Sequence, residues 1–295
     1  MRLATDHATL TVPATSANLG PGFDTLGLAL ELRDRVIVRA VAGETRVTVR
    51  GEGAGTVAAG EDHLVVRAIR IGLEFAGAPQ VGLDLVCHNA IPHARGLGSS
   101  AAAVVVGLVA ARALVAEPET LSDDVVLQLA TDLEGHPDNA APALHGGATL
   151  AWVDDGRARW VPLEVSPRLE VVALVPEATA STRTARAALP RTVSHTDAVF
   201  NVQRAALMVE ALRHPELLMA ATEDRLHQPY RREVMGQSLE VMDALRARGV
   251  PAVLSGAGPT VLAFGRPDRA LGDALIRHGW RVEELPLAAE GGRSL

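Results

Sequence analysis

Lysine is absent from all 295 residues, so the 28 residues counted as Lys or Arg are all arginine. That excludes Schiff-base chemistry on a lysine. It also excludes the Walker-type phosphate loop, whose Gly-Lys-Ser/Thr ending sets an ammonium on the phosphates. A phosphate site here must use backbone amides, a helix dipole, a divalent cation and arginine, whose planar fork suits carboxylate or phosphate. Cysteine occurs once, as Cys87, which excludes an intramolecular disulfide and a cysteine-cluster metal site. Its strand-like surroundings read as burial of a small apolar side chain, not as a nucleophile. Aromatics make up only 3%, so packing must rest on Val, Leu, Ile and Ala. Basic charge is in deficit: the net charge is −7 and there is no basic tail, which argues against general nucleic-acid binding. No apolar run reaches membrane-spanning length, and residues 1–11 hold no signal-peptide core. The expected setting is cytoplasmic, without membrane contact.

What is present is a hydrophobic share of 48%, enough for one large domain or two moderate ones. Residues 8–13, 34–40 and 45–50 read as strands, the last two joined by a turn at Gly43-Glu44. Residues 62–75 have helical spacing, with Leu64, Ala68, Ile71 and Phe75 on one face and Asp62 as cap. Strand 81–88 leads into a helix over 101–116. A second helix, 121–134, starts at the N-cap Ser122 and turns Val125, Val126, Leu129 and Leu133 inward. A turn-rich loop follows over 135–142, then strand 148–153. Further on, strands are expected at 169–176, 251–255, 260–264 and 280–285. Helices are expected at 194–213, capped by Ser194, and at 215–225, 236–248 and 269–278, while 179–191 is polar. Strands and helices segregate more than they alternate, which favours an α+β fold. A soft boundary near 155–168 divides the chain into 1–160 and 161–295.

The run Pro92-His93-Ala94-Arg95-Gly96-Leu97-Gly98-Ser99-Ser100-Ala101-Ala102 joins a strand to an apolar helix through glycines and serines. Glycine lets a ligand approach the backbone closely. The free N–H groups and positive dipole end of the helix suit a phosphate, and the hydroxyls can help to hold Mg²⁺. The competing reading is an ordinary buried helix capped by serine.

Two more glycine stretches flank it. Pro13-Ala14-Thr15-Ser16-Ala17-Asn18-Leu19-Gly20-Pro21-Gly22-Phe23-Asp24 stands near the start, and Leu254-Ser255-Gly256-Ala257-Gly258-Pro259-Thr260 near the end. Their order and spacing resemble the GHMP family of small-molecule kinases. The resemblance runs from about residue 8 to 264. It includes Glu134-Gly135-His136-Pro137-Asp138-Asn139 with Pro142 and Gly146-Gly147, Ser181-Thr182-Arg183 with Arg186 and Leu189-Pro190, and His227 with Pro229-Tyr230-Arg231. It implies an N-terminal ATP-binding half of left-handed βαβ type, a C-terminal ferredoxin-like half and a site between them. The reaction implied is MgATP-dependent phosphorylation of the L-homoserine hydroxyl, a step toward threonine, carried out by a homodimer.

On that resemblance the amides of residues 96–100 cradle the nucleotide phosphates, with Gly256 and Gly258 closing over them or bracing the first motif. Ser100 and Glu134 hold Mg²⁺, since a hard cation takes oxygen ligands; Ser99 is a further candidate. Arg186 and Arg231 are the partners for the substrate carboxylate. Asp24 takes its ammonium or its hydroxyl, Asn18 and Asn139 offer donor and acceptor groups, and His136 is a weaker contact. Some GHMP kinases pair a middle-loop aspartate with a lysine from the first motif. This chain has no lysine, and a one-residue offset leaves either Asp138 or Asn139 as the equivalent of that aspartate. No essential base is therefore expected. The hydroxyl proton can pass to the γ-phosphate beside Thr182, because a loose transition state needs little early deprotonation. The missing lysine also speaks against mevalonate as acceptor, and the presence of Ser100 and Glu134 speaks against a non-catalytic nucleotide sensor.

Overall fold

The computed structural model describes residues 2–295; Met1, the first residue of the stretch 1–11, lies outside them. Strands β1 (His7–Ala17) and β2 (Leu26–Val41) run antiparallel, with a register shift between Pro13 and Ala14. Both outrun the stretches expected from sequence. Their facing ends, Ala14 to Ala17 and Leu26 to Leu30, are buried on both faces and so lack the period-two alternation that marks a half-buried strand.

The hairpin expected across Gly43-Glu44 does not form. Strand β4 (Gly82–Asn89) lies between β2 and β3 (Arg46–Gly51), antiparallel to the first and parallel to the second. Helix α1 (Leu64–Phe75) is the crossover that a parallel pair requires, and no local turn signal reveals such a pairing. Against α1 packs α2 (Ser99–Leu114). Their contact is set by small residues: a Cβ added at Gly72 or at Gly107 would come within 2.6 Å of the Cβ of Ala111 or Ala68. This close crossing rotates α1 away from the expected face. Val65, Val66, Ile69 and Leu73 are buried, whereas Phe75 is 52% exposed. Asp62 does not cap α1; the N-cap is His63, without a side-chain bond.

Helix α3 (Asp123–Glu134) begins where expected, with the Ser122 hydroxyl accepting from the Val125 N–H. Part of the anticipated loop 135–142 belongs to α4 (Ala140–His145). Strands β5 (Ala148–Asp154) and β6 (Arg157–Leu163) form a hairpin on β2, so the stretch read as a soft boundary holds a strand.

A second sheet contains β7 (Val172–Val175), β8 (Ala252–Leu254), β9 (Val261–Ala263) and β10 (Arg281–Glu284). Its order is β10-β7-β9-β8, every adjacent pair antiparallel, as in a ferredoxin-like unit. Around it lie α5 (Thr182–Ala187), α6 (His195–Ala211), α7 (Leu218–Ala221), α8 (Gly236–Arg246) and α9 (Arg269–Arg277). Ser194 caps α6 by accepting from the Asp197 N–H. The helix expected over 215–225 is a single 3₁₀ turn followed by short α7. The chain then returns as β11 (Arg293–Ser294) to pair with β1. Ala173, Val175, Val253 and Leu262 of the second sheet share one core with Leu10, Leu28, Ile69 and Leu108. No helix among the described residues is long and apolar enough to cross a membrane. Cys87 is 1% exposed, and burial pushes its thiol up to about 12, as expected of a packing residue.

Asp34, 7% exposed, accepts from the N–H groups of Ala90 and Ile91, yet burial lifts its carboxyl from 3.8 to about 6. The folded protein therefore holds a proton that the unfolded chain has released between these values. Stability contributed by this group falls as pH rises through that window. Asp34→Asn keeps an acceptor for both N–H groups. It should raise stability at pH 8 by on the order of 2 kcal/mol and far less at pH 4. Thermal unfolding of the two proteins at both pH values checks this.

Candidate active site

The three glycine stretches meet at one place. The Ser255 hydroxyl lies 2.8 Å from the Ser16 hydroxyl and donates to the Gly96 carbonyl at 2.6 Å. The Gly256 N–H donates to the Ala17 carbonyl, the Thr260 N–H to that of Arg95 and the Thr15 N–H to that of Leu97. Asn18 adopts φ +70, from which its Nδ2 reaches the Gly256 carbonyl at 2.9 Å and its Oδ1 accepts from the Asp24 N–H at 2.9 Å. The cleft they frame has a volume of about 460 Å³.

At the floor of the cleft is the start of α2. Its N-cap, Gly98, is left-handed, and no side chain caps the helix. The serine-capped reading thus gives way to one in which first-turn N–H groups face the cleft. The Ser100 hydroxyl instead donates to Glu134 Oε1 at 2.7 Å. Burial, the largest influence, pushes the Glu134 carboxyl above its ordinary range, against the pull of that bond. Two hard oxygen donors thus sit together at the positive end of a helix, a donor set that fits Mg²⁺.

Along one wall, Arg186 on α5 makes a two-pronged pair with Asp24 at 2.6 and 3.1 Å, and its guanidinium also lies over the Phe23 ring. Arg231 is 1% exposed, donates to the Gly256 carbonyl at 2.9 Å and leaves Nε without a partner. Burial lowers its guanidinium to about 10. Beside the Asp24–Arg186 pair, with side-chain atoms of Asp24, His136 and Asp138 all within 4.8 Å of one another, His136 Nδ1 lies 2.5 Å from Asp138 Oδ1, a contact that raises the imidazole above its usual range. Asn139 Nδ2 donates to that same oxygen at 3.2 Å.

Of the residues singled out from sequence, Asn18, Asp24, Ala94, Gly96, Gly98, Ser99, Ser100, Ala101, Glu134, His136, Asp138, Asn139, Thr182, Arg186, Arg231, Gly256 and Gly258 line this cleft. Five from the 92–102 run do not. Leu97 and Ala102 are buried in the core and anchor the loop from beneath; Pro92 is also buried. Arg95 turns away to donate to the carbonyls of Pro176 and Glu177. His93 lines a second cavity, of about 330 Å³. That cavity, with Asp34, Val57, His63, Leu64 and Val106 in its wall, shares Ser99 and Ser100 with the cleft. Sequence reading missed it, because beside the 92–102 run and α2 its wall is drawn from β2, β4, α1 and the loop before α1, which carry no motif of their own. The one available signal was His63, a polar residue leading an apolar helix.

Comparison with known proteins follows the same lines. Residues 63–147 match the GHMP kinases N terminal domain and residues 208–277 match GHMP kinases C terminal. Over 289 residues the chain is 50% identical to homoserine kinase of Streptomyces avermitilis, covering 96% of this chain and 94% of that one. To homoserine kinase of a Mycobacterium species it is 51% identical over 288 residues, 94% and 92% of the two chains. The crystal structure of homoserine kinase from Cytophaga hutchinsonii superposes with a TM-score of 0.84 at 26% identity, covering 99% and 98%.

Proposed function

The chain belongs to the homoserine kinases of the GHMP kinase family, and from that premise we propose how its cleft moves the γ-phosphoryl group of MgATP to the hydroxyl of L-homoserine. The products are O-phospho-L-homoserine and ADP. The observation that carries the reading is the uncapped start of α2 facing a cleft that also holds the Ser100–Glu134 pair and the Asp24–Arg186 pair.

Phosphoryl transfer needs positioning and neutralised charge more than covalent chemistry. The N–H groups of residues 96–100 hold the phosphates. The nucleoside enters the second cavity, which adjoins them through Ser99 and Ser100. Ser100 and Glu134 would hold Mg²⁺, which when bound neutralises charge on the phosphate oxygens. Homoserine brings an ammonium and a carboxylate. Asp24 takes the first and Arg186 the second, so one internal ion pair is exchanged for two with the ligand. Arg231, with an unused Nε, supplies a second guanidinium for the carboxylate. Asp24→Asn should raise KM for homoserine about 10- to 100-fold, the worth of a charge-assisted bond, with KM for MgATP nearly unchanged. Steady-state kinetics with each substrate varied in turn reads this, and an equal rise in both KM values would remove Asp24 from the homoserine subsite.

No side chain serves as an essential base. Asp138 is 1% exposed and its Oδ1 already holds His136 and Asn139, so its part is to orient these neighbours. The hydroxyl proton leaves to the γ-phosphate, with Thr182 at the hydroxyl and His136, whose charged form the Asp138 contact favours, facing the transferred charge. Asp138→Asn should retain measurable turnover. Loss of all turnover with homoserine binding intact would restore Asp138 as the base.

The deciding assay is Mg²⁺-dependent ADP release with L-homoserine and mevalonate in parallel, and phosphohomoserine identified as product. Turnover with homoserine alone supports the reading, and turnover with neither acceptor sinks it. We also propose, from family likeness, a cytoplasmic homodimer; light scattering tests the dimer.

A further inference from the structure

We propose that Thr15 is a positioning residue for phosphoryl transfer, acting only through Asn139. Thr15 is fully buried in β1, and its hydroxyl donates to Asn139 Oδ1 at 2.8 Å. Asn139 Nδ2 donates to Asp138 Oδ1 at 3.2 Å, and the same carboxylate oxygen holds His136 Nδ1. These bonds fix which way the amide faces. Turned the other way, Asn139 would set its carbonyl oxygen against a buried carboxylate oxygen, which repels it. In the observed orientation the carbonyl is occupied by the Thr15 hydroxyl and one N–H by Asp138.

An amide nitrogen carries two N–H donors. One remains for the cleft that Asn139 lines. Asn139 therefore has a second N–H to offer that cleft, while its carbonyl oxygen is turned to Thr15. It can steady an oxygen, either the substrate hydroxyl or a phosphoryl oxygen, and it cannot draw off a proton. Thr15 is the group that makes this choice rigid, and it is the one link of the chain Thr15–Asn139–Asp138–His136 that does not line the cleft. A donor locked before the reaction costs no reorganisation as charge develops.

Thr15 has a second neighbour, since its backbone N–H donates to the Leu97 carbonyl in the phosphate loop. Valine preserves the side-chain shape and that backbone bond, and removes only the hydroxyl. The inference rests on the placement of Asn139 at the reacting oxygens, so the test is a double-mutant cycle. Thr15→Val should lower kcat about tenfold with KM for MgATP within about twofold, and Thr15→Ser should restore most of kcat. In an Asn139→Ala background, Thr15→Val should cost nothing further. Three results overturn the proposal. If Thr15→Val costs as much with Asn139 absent as with it present, Thr15 acts elsewhere. If it raises KM for MgATP at unchanged kcat, it belongs to the phosphate loop. If Asn139→Ala leaves turnover intact, the placement of Asn139 fails first and the inference falls with it.

Discussion

Glu134→Gln is expected to lower kcat by roughly 10³ while leaving the fold intact, because it removes the carboxylate that pairs with Ser100 at the start of α2 and would hold a cation against the phosphates. The glutamine amide oxygen still accepts the Ser100 hydroxyl, so the local structure keeps its bond. Burial disfavours the Glu134 charge in the ligand-free protein, so a neutral replacement should unfold no earlier than the parent. Loss of catalysis at unchanged or raised Tm would separate a metal-holding role from a structural one. The Mg²⁺ concentration needed for half-maximal rate should also rise. A pH signature follows from the raised pKa. The ionised form disappears as pH falls through a value above the ordinary carboxylate range, and activity should fall with it. Glu134→Gln should lack that limb. A variant within threefold of the parent at low Mg²⁺ would remove Glu134 from the metal site.

Much of this site was legible in the sequence, and for a physical reason. Glycines at 96, 98, 256 and 258 all adopt positive φ, so the turn chemistry left a mark on composition that local reading can detect. The pairing of Asp24 with Arg186, 162 positions apart, was visible only as two charges awaiting a substrate. Their contact depends on how α5 lies over the first motif, which no local pattern encodes. The second cavity, His63 apart, left no local mark for the same reason. The hairpin error at Gly43-Glu44 shows the limit from the other side: turn residues were read as a turn, but the partner of each β3 residue arrives 38 residues later, after a crossover helix. The face of α1 was misread in part because Gly72, which has no side chain, lies on its buried face against Ala111. Hydrophobic periodicity counts only residues that have side chains.

The second large effect concerns Gly98 and is sharpest beside Gly256. Both residues are left-handed, at φ +69 and +55, so alanine at either position costs about 1–2 kcal/mol from backbone strain alone. Their surroundings differ. A Cβ on Gly98 would lie 1.9 Å from the Thr15 hydroxyl and 3.0 Å from Asn139 Oδ1, whereas a Cβ on Gly256 meets nothing nearer than the Gly96 carbonyl at 3.5 Å. Thr15 is fully buried and bonded at both backbone and side chain, so it cannot yield. Gly98→Ala should therefore destabilise by about 3 kcal/mol or more and abolish turnover, since it displaces both the start of α2 and Asn139. Gly256→Ala should stay folded with only the strain cost. That folded variant separates the two readings of the third motif. If it binds MgATP about tenfold more weakly, the turn closes over the phosphates. If its nucleotide affinity is unchanged while kcat falls, the turn acts by bracing Asn18 and Arg231, both of which donate to the Gly256 carbonyl. Calorimetric titration of MgATP into Gly256→Ala, with Gly98→Ala as the strained counterpart, therefore tests the phosphate loop and the substrate wall in one experiment.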